Sequence, residues 1–179
     1  MDATHLHLML THFPIVGTIL GIGILIYGQF SKNNEIKKVA FAIFILMSLL
    51  TIPVYITGDA AEETVEHIAG VSEILIERHE EFAENAIVFM AFLGVLSLLS
   101  FIAIVRKYLF EKTATIVTLS VSVITFAVFI QVGNLGGQIR HSEIQSKDYL
   151  NTLEIIKNVK GLDSEKQKKT KRDHDDDDD

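Results

Sequence analysis

The chain has 179 residues, of which 49% are hydrophobic and 22% are charged, with a net charge of −7 and no cysteine. The lack of cysteine excludes disulfides, thiolate catalysis, iron–sulfur clusters and thiolate-bound zinc. The apolar residues are concentrated in blocks and the charged residues lie between and after them, which is typical of an integral membrane protein. No aromatic residues lie between the lysines near the C-terminus, and this pattern argues against a nucleic-acid partner.

Four apolar stretches are long enough to cross the hydrocarbon core as helices, which takes about 20 residues each. They cover residues 9–30, 36–58, 82–105 and 113–133. Their central parts carry no charged residue and no polar face with the period of a helix, so a soluble bundle is not expected.

We therefore predict an all-α fold, an integral membrane four-helix bundle over residues 1–142. A short extramembrane helix is expected before the third span. Residues 143–162 are expected to form a short amphipathic segment, and residues 163–179 a disordered charged tail.

The segments between the spans predict the orientation. The loops 31–38 and 106–112 carry three basic residues each, whereas segment 58–85 has nine acids and Arg78 as its one Lys or Arg. Short loops rich in Lys and Arg stay in the cytoplasm. We expect both termini and the acidic segment on the extracytoplasmic side of the cell (inner) membrane.

Six of the seven histidines then fall at the outer end of the bundle. They are His5, His7, His12, His67, His79 and His141. A single histidine suits a membrane interface without any function, but this clustering indicates a site.

Helical spacing predicts where these side chains point. Four glutamates from Glu73 to Glu84 share one face, and His79 begins another face that leads through small residues to Met90. We expect the acids outward and His79 toward the bundle. Pro14 suits the first turn of a helix, which places His12 at or just before a helix start.

Small and polar residues accompany the histidines. Gly17 and Gly21 form a G-x-x-x-G pair that lets another helix approach closely. Gly136 and Gly137 either leave room for a bulky group or simply end the fourth helix. Gln131 is a polar residue within the fourth span, where polar side chains serve packing or function.

The residues leave three uses of the histidines open. A b-type haem is held by axial histidines from different helices beside small residues. Several imidazoles can instead hold zinc or copper. A proton or ion path is the third use. A di-iron carboxylate site is not expected, because repeated Glu-x-x-His pairs are lacking.

Haem b is the leading interpretation, with His12 and His79 as the expected axial ligands. His7 and His141 come next, as alternatives or as a second pair, and His5 and His67 are weaker candidates. The expected surrounding residues are Gln131, Gly17, Gly21, Gly136, Gly137, Arg140 and Arg78, the two arginines as partners of haem propionates.

The stretch HLMLTHFPIVGTILG, residues 7–21, resembles the opening of a small membrane family catalogued as domain of unknown function 2231. That opening has a histidine, four residues and then His-Phe-Pro-Ile, and Leu8 stands where the family usually has proline. His79 matches a further histidine before the third span, and residues 136–141 match a closing Gly-Gly segment. The resemblance covers residues 5–142 and implies haem and electron transfer at the outer face, beside c-type cytochromes.

We thus expect an electron carrier rather than a substrate-transforming enzyme, a b-type cytochrome between a membrane donor and an extracytoplasmic acceptor. The alternatives are a zinc- or copper-binding membrane protein that uses the same histidines, and a structural subunit of a larger membrane complex. The lipid bilayer, other membrane subunits and further copies of the chain are the expected partners.

Overall fold

In the computed structural model, residues 3–66, 71–141 and 155 are described, and they contain helices and no strand. The helices are α1 (Ala3–Leu10), α2 (His12–Phe30), α3 (Asn34–Glu66), α4 (Glu73–Val105) and α5 (Glu111–Arg140). Four segments are long and apolar enough to cross a membrane: Thr4–Phe30, Asn34–Glu66, Glu73–Val105 and Glu111–Ile139. The prediction of an all-helical chain with four apolar spans is confirmed at this level.

The first span is divided into α1 and α2 at Thr11, which keeps helical backbone angles, with φ −56° and ψ −30°. Pro14 causes the division, because it has no N–H for the carbonyl of Leu10 and its ring crowds that carbonyl. Pro14 lies in the first turn of α2, as predicted, and His12 is the first residue of that helix. The helix α1 before it places His5 and His7 on regular secondary structure.

The other spans continue as helices beyond their apolar parts. Helix α3 runs on to Glu66, α4 begins at Glu73 and α5 ends at Arg140. The added residues of α3 and α4 are rich in Glu, which favours helix, and no Pro interrupts any of the three extensions. A helix of 33 residues is about 50 Å long, so α3 and α4 exceed a hydrocarbon core of about 30 Å.

These extensions all lie at one end of the bundle. We call it the histidine end, and define it by residues 3–12, 54–66, 73–84 and 131–140. The opposite end is formed by the two turns at residues 31–33 and 106–110. The histidine end carries the described histidines of the bundle and most of its acids.

Helices α2 and α4 each pack against both α3 and α5, so α2 and α4 occupy diagonal corners of the bundle. Helix α1 continues the α2 corner and packs against α3. The fully buried core includes Leu25, Phe41, Phe44, Met90 and Leu93. Large apolar side chains such as Leu20, Leu49 and Leu99 are instead exposed, as expected of a surface that faces lipid.

The chain divides into two compact units, Met1–Arg140 and His141–Asp179. The first unit contains the bundle. The predicted amphipathic segment 143–162 and charged tail 163–179 lie outside the described residues, apart from the exposed residue Ile155. Both therefore stay predictions.

A candidate histidine site at one end of the bundle

His7 lies on α1, half-buried against α3. Its Nδ1 donates a hydrogen bond of 3.0 Å to the backbone carbonyl of Val54, and the Thr57 hydroxyl lies 3.5 Å from the same nitrogen. The ring also faces Gly58, where a Cβ atom would lie 3.6 Å from the imidazole Cε1.

His79 lies on α4, half-buried against α5. Its Nδ1 donates a hydrogen bond of 3.1 Å to the backbone carbonyl of Val132. The ring faces Gly136, where a Cβ atom would lie only 3.2 Å from Cε1. The exposed glutamates and the inward His79 have the orientation that helical spacing predicts.

Each glycine follows its valine by four residues, and this spacing explains its role. In an α-helix the carbonyl of residue i points at the N–H of residue i+4, and the Cβ of that residue is tilted back toward the carbonyl. A glycine at i+4 therefore exposes the carbonyl to a second donor. Gly136 gives the His79 imidazole access to the carbonyl of Val132 in this way, whereas a Cβ at Gly58 would make only an ordinary contact with the His7 ring.

The two imidazoles make the same kind of hydrogen bond. Donation from Nδ1 to a carbonyl requires a proton on Nδ1, so the neutral form of each ring that makes this bond is the one whose Nε2 carries the lone pair. Within the described residues, no hydrogen bond engages the Nε2 atom of either ring. Hydrogen bonds from Nδ1 to carbonyls also orient histidine ligands of metals.

The two rings lie at the same end of the bundle. His7 sits on the corner of the bundle that α1 and α2 occupy, and His79 on the diagonal corner occupied by α4. Each ring is held against the span that follows its own in the chain, α3 for His7 and α5 for His79.

His12, which was expected to pair with His79, is exposed. Its Nδ1 donates to the carbonyl of Leu8 at 2.9 Å, within its own segment of chain. His12 lies five positions after His7, so the two point about 140° apart on a helix, and His7 is the one that faces α3. A ligand role for His12 stays a prediction without a contact in its support.

The remaining candidates are placed as follows. His5 is exposed on α1, and His141 is exposed as the first residue of the second unit. His67 and the side chain of Arg140 lie outside the described residues. Arg78 and Gln131 are exposed, and each is next in sequence to a member of the His79–Val132 contact.

The G-x-x-x-G pair on α2 serves helix packing. Gly17 faces the side chain of Met47 and Gly21 faces the ring of Phe44, both on α3. The predicted close approach of another helix is thereby confirmed, with α3 as that helix. Gly137 is half-buried near the end of α5.

Among residues 3–66, 71–141 and 155, no group of three or more His, Asp or Glu side chains is placed to hold a metal ion. Zinc takes three or four protein ligands, whereas a haem iron takes one or two axial ones. The imidazoles of His7 and His79 are by themselves fewer than the protein ligands of a zinc site.

The contacting backbone groups were not predicted from the sequence. A carbonyl has no side-chain signature, so nothing in the residues marks Val54 or Val132 as acceptors. The one available signal is the glycine four residues after each acceptor.

Comparisons with protein-family models, curated proteins and solved structures find no match to this chain. The resemblance to domain of unknown function 2231 stays a prediction.

Proposed function

We propose that the protein binds a b-type haem at the histidine end, with His7 and His79 as axial ligands, and carries electrons there. The observation that supports this proposal is the pair of matched imidazoles on diagonal corners of the bundle. Each ring is held by a hydrogen bond from Nδ1, and no hydrogen bond engages its Nε2 within the described residues.

The residues of the chain suit this role in several respects. The carbonyls of Val54 and Val132 orient the rings and hold the proton on Nδ1. The histidines come from different helices of a bundle, as in four-helix cytochromes, and the chain has no cysteine that would offer a competing thiolate ligand. Haem supplies a one-electron couple between ferric and ferrous iron when it is bound.

We place the histidine end on the extracytoplasmic side of the cell membrane. The opposite end carries the Lys- and Arg-rich turns, which favours the cytoplasm for that end. The histidine end is acidic, with exposed carboxylates that include Asp59, Glu77, Glu80 and Glu84. An acidic surface favours a redox partner with a basic face, and the family resemblance suggests a c-type cytochrome or another membrane subunit.

The test is a reduced-minus-oxidised absorption spectrum of the purified protein in detergent, compared with those of His7→Ala and His79→Ala. We expect a b-type band in the unmodified protein and its loss in both variants. His12→Ala is the matched control, because His12 lies on the same span with its ring exposed, and it should keep the band.

Two results would count against this assignment. A band that survives in His7→Ala but is lost in His12→Ala would make His12 the partner of His79. A protein that stays colourless after reconstitution with haem would end the haem proposal. If that protein contained zinc or copper by elemental analysis, the metal-binding alternative would replace it.

A further inference from the structure

The contact that α1 makes with α3 recurs between α4 and α5. In each contact a histidine Nδ1 donates to a valine carbonyl, at 3.0 Å for His7 and 3.1 Å for His79. In each, the glycine four residues after that valine faces the imidazole Cε1. The two contacts are built from the same three residue types in the same order.

The interval between the two histidines also relates the buried face of α2 to that of α4. His79 lies 72 positions after His7, the same separation as between Thr18 and Met90. Adding this interval to each of the five buried residues of α2 gives five buried residues of α4, from Ala86 to Ser100. Those of α2 are Pro14, Thr18, Gly21, Leu25 and Gly28. Because all helices share one periodicity, the buried faces of any two helices can be aligned by some interval. Here the interval of 72 positions was taken from the two histidines and not chosen to align the faces.

The buried faces of α3 and α5 are related in the same way, each being the last helix of its half of the bundle (α1–α3 or α4–α5). Val132 lies 78 positions after Val54. Adding this interval to five buried residues of α3 gives five buried residues of α5, from Thr115 to Phe129. Those of α3 are Lys37, Ala40, Phe44, Met47 and Thr51. The other two buried residues of α3, Phe41 and Ala61, correspond to half-buried positions.

The turns at the opposite end match as well. Lys32 and Lys107 have φ angles of 53° and 54° and are the non-glycine residues with positive φ in the described chain. Each stands two positions after the last residue of its helix, α2 or α4. Lys107 lies 75 positions after Lys32, whereas the interval is 72 positions before this turn and 78 positions after it. The second half therefore has three extra residues before the turn and three more after it.

One contact marks the relation between the halves. The hydroxyl of Thr18 lies 4.0 Å from the sulfur of Met90, and these two residues are equivalent by the interval of 72 positions. A contact between equivalent positions at the centre of a bundle is what a two-fold axis between the two units produces. Since α2 and α4 occupy diagonal corners, this axis runs along the bundle between them.

We propose that α1–α3 and α4–α5 are two copies of one two-span unit, related by this axis, and that one ligand lies on the axis, shared by His7 and His79. The ligand belongs to the class of groups with two opposed coordination positions. Its identity as haem rests on the proposed function, which this inference deepens to one haem for each chain. The alternative of separate sites for the two histidines, such as His7 with His141, is what the following test distinguishes from a shared ligand.

The first test measures haem stoichiometry in the full-length protein and in His7→Ala, His79→Ala and the double variant. One shared iron predicts one haem per chain, complete loss of the bis-histidyl band in either single variant, and no further loss in the double variant. Two independent sites would instead lose half of the band in each single variant and the rest in the double variant. That result would overturn the proposal.

The second test needs no haem. In ¹⁵N-histidine spectra of the haem-free, full-length protein in micelles, His7 and His79 should both show the Nδ1–H tautomer with Nε2 unprotonated. The two alanine variants assign the signals. Different tautomers for the two rings would contradict the duplication. If the unmodified protein bound no haem, the proposed function and the shared ligand would both fail, while this spectrum would still decide whether the two units are equivalent.

Discussion

The two glycines that face the histidine rings differ in how much room they leave. At Gly136 an added Cβ would lie 3.2 Å from the His79 ring, which is closer than side-chain packing normally allows. At Gly58 the corresponding distance to the His7 ring is 3.6 Å, an ordinary contact. The His79 position is therefore the more sensitive one.

Gly136→Ala should displace the His79 ring and weaken its hydrogen bond to Val132, a loss of about 1 kcal/mol. The expected result is a shifted His79 signal in the ¹⁵N-histidine spectrum and weaker haem retention. Gly133→Ala is the control, because no side chain or other atom lies within 4 Å of a Cβ at that position.

Gly58→Ala extends the comparison to the other ring and should leave the His7 signal nearly unchanged. If Gly136→Ala behaved like Gly133→Ala, the His79 ring would not be held against α5 as described.

At the scale of elements, the closeness of α2 and α3 depends on the glycines of α2. An added Cβ at Gly21 would overlap the ring of Phe44, which is fully buried and has no space to move into. The glycine thus sets how near the two helices lie.

Gly21→Ala should destabilise the bundle by about 1–3 kcal/mol, the usual cost of overpacking a filled core. The measurement is the midpoint of unfolding in detergent as the denaturant concentration rises. Gly23→Ala, on the same helix but with nothing within 4 Å of its Cβ position, should not lower that midpoint. Equal midpoints for the two variants would mean that α2 and α3 do not pack through Gly21.

The elements themselves were largely predictable. Apolar blocks of about 20 residues give spans directly, and each predicted span lies within a helical segment of the structure. The outer ends of α3 and α5 were not predicted, because hydropathy marks where the apolar part stops and not where the backbone leaves the helix. Residues 59–66 are largely polar and still helical.

At the scale of the whole molecule, the orientation across the membrane has a direct test. The chain has no cysteine, so single cysteines can be introduced and labelled in intact cells with a maleimide that does not cross membranes. We expect labelling of Glu66→Cys and Glu77→Cys at the histidine end.

Asn33→Cys and Leu109→Cys, in the exposed turns of the opposite end, should be labelled only after the cells are opened. The reason is the excess of Lys and Arg in those turns, which keeps them in the cytoplasm. The reverse pattern would place the histidine site on the cytoplasmic side and exclude an extracytoplasmic redox partner.

The sequence by itself determined the composition-driven features of this protein: four apolar helical spans and a crowd of histidines at one end of them. These follow from local hydropathy and from the order of segments along the chain, which need no knowledge of how helices pack. The inward orientation of His79 also belongs here, because helical spacing separates it from the glutamates.

Only the tertiary structure decided which histidines pack against a neighbouring helix. The sequence favoured His12 as the partner of His79. The direction in which the His7 side chain points depends on how α1 packs against α3, before the division at Thr11. The hydrogen-bond acceptors of both rings are backbone carbonyls, which no residue type marks in the sequence. The equivalence of the two halves is seen in which positions are buried, although the residue types at those positions differ. Packing constrains the position and volume of a side chain more than its identity, and for that reason the repeat is visible in the structure.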